Sequence, residues 1–167
     1  STSGHHQLWG ISSTSMAGSQ AEMLNTHADV KSIDNIIKEA TNVSTTSVDS
    51  LTDSIQKLIG NAPPPSTALS EFSSILDDVR VLRGLFAWVC FNIDYDVAGL
   101  QSGNIDCSPE SVLRTRKAVC SGYSCLLKAM CTRAGLVVEA VSGYSKGAGY
   151  HIGDAFADKK SDHEWNK

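Results

Sequence analysis

The strongest hydrophobic pattern begins shortly after three consecutive prolines at 63–65. Seven apolar residues recur there at steps of three and four, the spacing that places side chains on one face of an α-helix: Leu69, Phe72, Leu76, Val79, Leu82, Phe86 and Val89. Ser66 or Thr67 is available as the N-cap, and residues 92–96 end the helix. We therefore predict a long helix whose apolar face packs on the core.

Weaker signals follow this helix. Residues 97–109 contain Gly99 and Gly103 and predict a loop, and residues 111–117 form a short basic lead-in. A second helix is predicted from residue 121 onward, because helically spaced apolar residues precede a glycine that can end it: Leu126, Leu127, Met130, Ala134 and Gly135.

The last part of the chain predicts two strands. Residues 136–141 are apolar and partly β-branched, which favours a strand. Residues 143–153 predict a loop interrupted by glycines, and residues 163–166 alternate in the manner of a second strand. The predicted order is helix, helix, strand, loop and strand.

The N-terminal part has a sparser pattern. Between residues 21 and 60 the apolar residues are few, with weak helical spacing at Ile33, Ile36 and Ile37 and interruptions rich in Ser and Thr. This pattern predicts short amphipathic helices in a mobile tail. The prolines at 63–65 cannot continue a helix, so they mark the boundary of the tail.

Chain length limits the number of domains. The 167 residues suffice for one ordinary domain and a tail, but not for two well-buried cores. We assign residues 1–65 to a flexible, partly helical tail and residues 66–167 to the domain. Residues 1–20 are rich in Ser, Thr and Gly, and we exclude them from fold reasoning as leader or expression-derived sequence.

Charge and cysteine content limit the classes of partner and the cellular compartment that we expect. The net charge is −4 and there is no long basic run, so we expect neither a nucleic-acid nor a membrane partner. The longest apolar run, 84–93, is well short of the roughly 20 residues that a membrane-spanning helix needs. The five cysteines are an odd number without the spacing of a small secreted framework, which favours reduced thiols in the cytosol.

One cysteine lies where a thiolate is favoured. Cys120 stands at the start of the second predicted helix, and the N–H groups and dipole of a helix N-terminus stabilise negative charge. Arg114, Arg116 and Lys117 lie just upstream and would add to this effect if they faced the thiol. His163, on the last predicted strand, is the candidate base.

Position alone leaves the role of Cys120 open, because a free cysteine is more often a small buried hydrophobic residue than a nucleophile. A metal site shared by the helix cysteines is excluded. Cys120 and Cys131 would lie roughly 16 Å apart along the helix axis, and Cys125 would be rotated off their face. No CxxC pair exists. We therefore expect no metal and no other cofactor.

Several motifs coincide in one order between Val79 and Lys167. Cys120–Tyr123 and His163–Asn166 resemble the Cys and His motifs of the transglutaminase-like superfamily. Four further segments narrow the resemblance to the kyphoscoliosis peptidase and hillarin group: residues 91–96, 100–104, 112–120 and 142–147. The resemblance is specific because it rests on several motifs at once.

This resemblance implies a papain-like α+β core, in which the nucleophile helix packs on an antiparallel sheet. It also implies a Cys-His-Asp triad with Cys120 as nucleophile and His163 as base. In the family the Asp follows the His on the next strand. Three aspartates precede His163 instead and match no such position: Asp154, Asp158 and Asp162. We therefore expect the domain to be incomplete at Lys167, with its orienting Asp on a strand beyond it.

The resemblance further implies a cysteine-dependent enzyme that acts on amide bonds through a thioester. A peptidase is the leading hypothesis, and transfer to an amine is the other chemistry that the geometry permits. The implied partner is a protein substrate or a cytoskeletal protein, and the implied location is the cytoplasm. The alternative is a non-catalytic interaction module that binds cytoskeletal proteins and retains an idle Cys-His pair.

Residues near the two motifs have more modest expected roles. We predict that the backbone N–H of Cys120 and one further donor stabilise an oxyanion. Trp88 resembles in position a tryptophan that transglutaminases use near the site, but its apolar helical context favours a core role. Tyr123 and Trp165 are predicted to be packing residues that flank the site.

Overall fold

The structure is a computed structural model, and it describes residues 29–40, 43–63, 73–103, 105–147, 150–156 and 160–167. The helices of these residues are, in chain order, α1 (29–39), α2 (Val48–Gly60), α3 (Ser73–Asn92), α4 (Val97–Ser102), α5 (Pro109–Thr115) and α6 (Cys120–Arg133). The strands are β1 (Asp94–Tyr95), β2 (Lys117–Ala118), β3 (Ala140–Gly143) and β4 (His163–Asn166).

The described strands form two small sheets. β1 and β2 pair in parallel, with Asp94 opposite Lys117. β3 and β4 pair antiparallel, with Gly143 opposite His163. The second ladder continues one step past both strands, because Glu139 and Lys167 exchange two backbone hydrogen bonds of 2.9 and 3.0 Å. The architecture is thus a mixture of helices and short strands.

The described part of the predicted tail belongs to the core. α1 and α2 contribute six buried aliphatic side chains to the same cluster as α3, α5 and α6: Ile33, Ile37, Val48, Leu51, Ile55 and Ile59. Ion pairs join these helices to the rest, including Arg80–Asp29 at 2.6 Å and Arg133–Asp53 at 2.7 Å. The flexible-tail assignment is therefore wrong for residues 29–40 and 43–63. Its remaining residues, and the leader at 1–20, lie outside the described ranges.

α3 packs mainly through a different face from the one that its sequence pattern predicts, although Val89 of the predicted face is buried. Leu85 and Trp88 are buried, whereas Val79, Leu82 and Phe86 are 50%, 39% and 43% exposed. The reason lies next to Gly84. A Cβ at that position would lie 2.9 Å from the side chain of Ile59, so the missing side chain lets α2 approach α3 on this side. The predicted N-cap and the first two residues of the predicted face lie outside the described ranges.

The region predicted as a loop and a basic lead-in contains two short helices. Asp96 caps α4 by accepting a hydrogen bond from Gly99 N at 2.9 Å, and Gly103 ends it at φ 68°. Ser108 caps α5, and Arg116 follows that helix at φ 58°. Of the two glycines that suggested a loop, Gly103 thus ends α4, whereas Gly99 lies inside α4 and donates to its N-cap.

One of the two predicted strands has the predicted bounds, and the other begins later than predicted. β4 covers the predicted residues 163–166, but β3 begins at Ala140 rather than at residue 136. Leu136 and Val138 are instead half-buried against the core. A strand needs a partner for its hydrogen bonds, and the described partner of β3 is only four residues long.

α6 forms where the sequence predicts it and packs closely at its first turn. It ends at Arg133, and Gly135 follows in the left-handed region at φ 83°. A Cβ at Gly122 would lie 2.9 Å from the Cβ of Ala118 and 3.1 Å from Val112 Cγ2. Glycine is therefore needed where α6 crosses β2 and α5. Among the described helices, none is long and apolar enough to cross a membrane.

We predict that Gly122→Ala destabilises the protein. The Ala118 Cβ is attached directly to the backbone and cannot rotate away, so the clash should cost about 1–3 kcal/mol in the free energy of unfolding. Urea denaturation measures this change. The control is Gly60→Ala at the end of α2, where no atom lies within 4 Å and the change should be neutral or slightly stabilising. Equal stability of the two variants would contradict the close packing at Gly122.

Truncation of α2 tests whether the N-terminal helices belong to the core. Ile55 is fully buried, so Ile55→Ala should lower the free energy of unfolding by about 2–5 kcal/mol in a single cooperative transition. Ile75→Ala, at an exposed position on α3, should change it by less than about 0.5 kcal/mol. A separate low-stability transition for α2 would instead indicate a detachable tail.

Candidate functional site

Cys120 is the first residue of α6 and is partly exposed. The preceding residue, Val119, occupies the N-cap in an extended conformation and makes no side-chain hydrogen bond to the helix. The first N–H groups of a helix lack intrahelical partners, and here an apolar N-cap does not supply one. The thiol of Cys120 therefore stands beside backbone N–H groups that can stabilise negative charge.

Two of the three basic residues upstream of Cys120, Arg114 and Arg116, contact other side chains. Arg114 Nη2 donates to Ser111 Oγ at 3.1 Å. The guanidinium of Arg116 lies 4.8 Å from the centre of the Trp88 ring, and burial lowers the pKa of Arg116. These contacts direct both arginines to structural roles. The prediction that Trp88 is a core residue is confirmed, since its side chain is buried beneath Arg116.

His163 opens β4 and is exposed. Side chains alternate along a strand, so His163 shares a face with Trp165, and their ring centroids are 5.9 Å apart. The other face carries Asn166, whose Nδ2 donates to the backbone oxygen of Ser124 on α6 at 3.1 Å. β4 is thus held against the helix that begins at Cys120.

Cys120 and His163 line one cavity of about 790 Å³. Its walls come mainly from α3, α6 and β4. The lining residues are Val30, Val79, Leu82, Arg83, Phe86, Val89, Cys90, Tyr95, Cys120, Tyr123, Ser124, Leu127, Val138, His163, Glu164, Trp165, Asn166 and Lys167. The fold therefore brings the two residues predicted for the site to the same space, beside the exposed apolar face of α3.

Aromatic side chains support the wall of this cavity. Tyr123 donates from its hydroxyl to the backbone oxygen of Ile93 at 2.7 Å and stacks on Tyr95, with ring centroids 6.4 Å apart. Burial is the main cause that raises the pKa of Tyr123. Trp165 lies so close to Gly143 that a Cβ there would be 2.6 Å from the ring. The packing role predicted for Tyr123 is confirmed, whereas Trp165 contacts Gly143 but stays 42% exposed.

The aspartates that precede His163 have local partners in the loop. Asp162 Oδ1 accepts a hydrogen bond from Ser145 N at 2.7 Å, and Asp154 Oδ2 accepts one from His151 N at 3.1 Å. Asp158 lies outside the described residues. These contacts agree with the sequence argument that the first two do not hold the triad position.

Three of the other four cysteines lie in environments that disfavour a thiolate, and the fourth contacts a neighbouring side chain. Burial is the main cause that raises the pKa of Cys90 and Cys125, and it raises that of Cys131 to about 11. Cys107 Sγ lies 3.0 Å from Ser121 Oγ, at the first turn of α6. Within the described residues, no group of three or more His, Cys, Asp and Glu side chains could hold a metal ion.

Sequence reasoning missed two features of the site. It placed Val79, Leu82 and Phe86 in the core, although they line the cavity. It also assigned no role to Asn166, although the alternation of β4 places that residue on the opposite face from His163. That alternation is a signal that could have identified Asn166 as the residue facing the helix.

Comparisons with known proteins assign more than half of the chain to a family. The family model of the transglutaminase-like superfamily matches residues 68–167. Human kyphoscoliosis peptidase is 40% identical over 90 residues, which are 53% of this chain and 14% of that protein. Drosophila melanogaster hillarin is 32% identical over 95 residues, which are 53% of this chain and 11% of that protein.

A further relative is the Lim and transglutaminase domain protein ltd-1 of Caenorhabditis elegans. It is 30% identical over 94 residues, which are 56% of this chain and 13% of that protein. The chain thus spans only a small part of the length of these relatives. No solved structure matches it significantly.

The thiols provide a direct test of the site. At about pH 7.5, iodoacetamide should modify Cys120 before Cys90, Cys125 and Cys131, because a raised pKa leaves less thiolate in the last three. The advantage should narrow as the pH rises, because the raised pKa values of Cys90 and Cys125 delay formation of their thiolates to higher pH. Peptide mass spectrometry of partly alkylated protein gives the order. Modification of Cys131 first would contradict the described burial.

Proposed function

The chain belongs to the transglutaminase-like superfamily, and we propose that it carries the Cys-His part of a cysteine-dependent amide-bond enzyme, with Cys120 as nucleophile and His163 as base. One observation carries the proposal: both residues line the same cavity, and Cys120 begins a helix whose N-cap residue offers it no side-chain hydrogen bond. A nucleophilic cysteine needs stabilisation of its thiolate and a base within the same space.

The proposed reaction forms and breaks one thioester. His163 takes the proton of the Cys120 thiol, and the sulfur attacks the carbonyl carbon of the substrate amide. The backbone N–H of Cys120 and a second donor stabilise the oxyanion. His163 then gives its proton to the leaving amine as the C–N bond breaks. Water, deprotonated by His163, attacks the thioester, and the release of the carboxylic acid restores the thiol.

Hydrolysis is favoured over transfer to an amine. The relative of highest identity among those described is named a peptidase, which supports a peptidase here.

In the proposed papain-like core, α6 packs on an antiparallel sheet of which β3 and β4 are part, and the orienting Asp follows on a further strand. Such an acid would hold the tautomer of His163.

The proposed substrate or partner is a protein, and the proposed location is the cytoplasm, with cytoskeletal association. The five cysteines are free thiols, which supports a reducing compartment. The cavity wall next to the site is largely apolar, which suits a polypeptide segment better than a highly charged partner such as nucleic acid.

A non-catalytic interaction module is the second candidate, and the exposed side chains on α3 favour it. Val79, Leu82 and Phe86 form an apolar surface along the cavity, which a protein partner could cover without any chemistry at Cys120. The two candidates differ in what a change at Cys120 does. An enzyme loses turnover, whereas a binding module keeps its partner.

The decisive test is turnover in the longest natural polypeptide that contains this sequence. Cys120→Ala should lower cleavage of a protein substrate such as casein by at least about 10³-fold, and His163→Ala should have a similar effect. Incorporation of a labelled amine into the same substrate, assayed in parallel, distinguishes transfer from hydrolysis.

Cys125→Ala is the matched control, because it removes a thiol five residues further along α6 and should leave turnover unchanged. Equal rates for Cys120→Ala and the parent protein, with both folded, would reject the enzyme proposal. The interaction module would then be the better explanation.

A further inference from the structure

Asn166 and Ser124 link the strand that carries His163 to the helix that begins at Cys120. Asn166 Nδ2 donates to Ser124 O at 3.1 Å and to Ser124 Oγ at 3.2 Å. Ser124 Oγ in turn donates to Trp165 O at 3.5 Å. Ser124 is buried and Asn166 is half-buried. The link is therefore a set of hydrogen bonds largely removed from water, where an unpaired amide would be unfavourable.

The link lies close to both residues of the proposed site. Ser124 follows Cys120 by one helical turn, about 5–6 Å along α6. Asn166 follows His163 by three residues, about 10 Å along β4. Because three is an odd number, the two side chains leave opposite faces of the strand. When Asn166 faces α6, His163 faces away from the body of the helix.

This geometry determines which side chains of β4 lie against α6. The four-residue ladder with β3 sets the register of β4 relative to β3, but it does not by itself set the rotation of the hairpin against α6. A rotation or a one-residue slip would exchange the faces and put Glu164 in the place of His163. The bonds of Asn166 to Ser124 oppose both movements.

We propose that Asn166 is a positioning residue: by donating to the backbone of Ser124, it holds β4 on α6 so that His163 faces the cavity that contains Cys120. This inference rests on the proposed function, because the orientation of His163 matters through its proposed role as the base for Cys120. The backbone oxygen of Ser124 accepts one of the two bonds whatever side chain stands at residue 124, so the amide of Asn166 matters more to the link than the hydroxyl of Ser124.

The experiment measures the position of residue 163 relative to Cys120 without requiring catalysis. His163→Cys supplies a thiol at residue 163. Bifunctional methanethiosulfonate reagents of increasing length are then added, each of which can join this thiol to Cys120. Mass spectrometry of the peptides identifies the link. In the parent with Asn166, a short reagent should join the two positions. Adding Asn166→Asp, which keeps the size but loses the donor, should lower the yield with that reagent about tenfold.

Three variants serve as controls. Asn92→Asp makes the same chemical change at an amide that donates to Trp88 O at 2.9 Å on α3, and it should leave the link unchanged. Ser124→Ala keeps the backbone acceptor and should also leave it nearly unchanged. Asn166→Ala removes the donor without adding a carboxylate, and it replaces Asn166→Asp if that variant does not fold. Thermal unfolding establishes that each variant is folded.

The outcomes separate this inference from the proposed function. Equal linking in folded proteins with and without the Asn166 amide would overturn the positioning role, as would a parent in which no reagent links the two positions. The dependence of Cys120 alkylation on pH is measured in parallel. If His163→Ala leaves that dependence unchanged while Asn166→Asp still lowers linking, the catalytic pair is rejected and the positioning of β4 stands.

Discussion

The close approach of α6 to β2 and α5 is the constraint on which the rest of the described structure depends. At Gly122 there is no room for a methyl group, so the first turn of α6 lies directly on Ala118 and Val112. Further along the helix, Leu126, Met130 and Cys131 are fully buried. A helix placed in this way presents Cys120 at the edge of the core, where its thiol is partly exposed but its backbone is held.

Other contacts extend from this helix to the elements of the site. On one side Arg133 pairs with Asp53, which joins α6 to α2. On another side Tyr123 bonds to the backbone of Ile93, which joins α6 to the end of α3. The link between Asn166 and Ser124 then adds β4. The position of His163 relative to Cys120 thus follows from the packing of β4 on α6. It does not follow from contacts between residues that are neighbours in the sequence.

α3 shows how a close contact can override a helical pattern. Its spacing of apolar residues predicts a face that includes Val79, Leu82 and Phe86, yet the helix turns a different side toward α2 because Gly84 allows Ile59 to approach. Val79, Leu82 and Phe86 of the predicted face are left exposed along the cavity. An apolar stripe shows that a helix is amphipathic, but it does not show whether a core or a binding surface covers the stripe.

The sequence by itself determined the local features of this protein. The start of α6 at Cys120, its end before Gly135 and the strand at His163 follow from short-range signals, namely helix spacing, a glycine after the last turn and alternation along a strand. The motifs around Cys120 and His163 also indicated the superfamily, which the family match confirms.

Only the tertiary structure decided how these elements combine. It placed α1 and α2 in the core, turned α3 about its axis and brought Asn166 onto Ser124. The physical reason is that these outcomes depend on which surfaces of distant segments approach each other. The energies of such contacts belong to pairs of residues far apart in the chain, so no local pattern contains them.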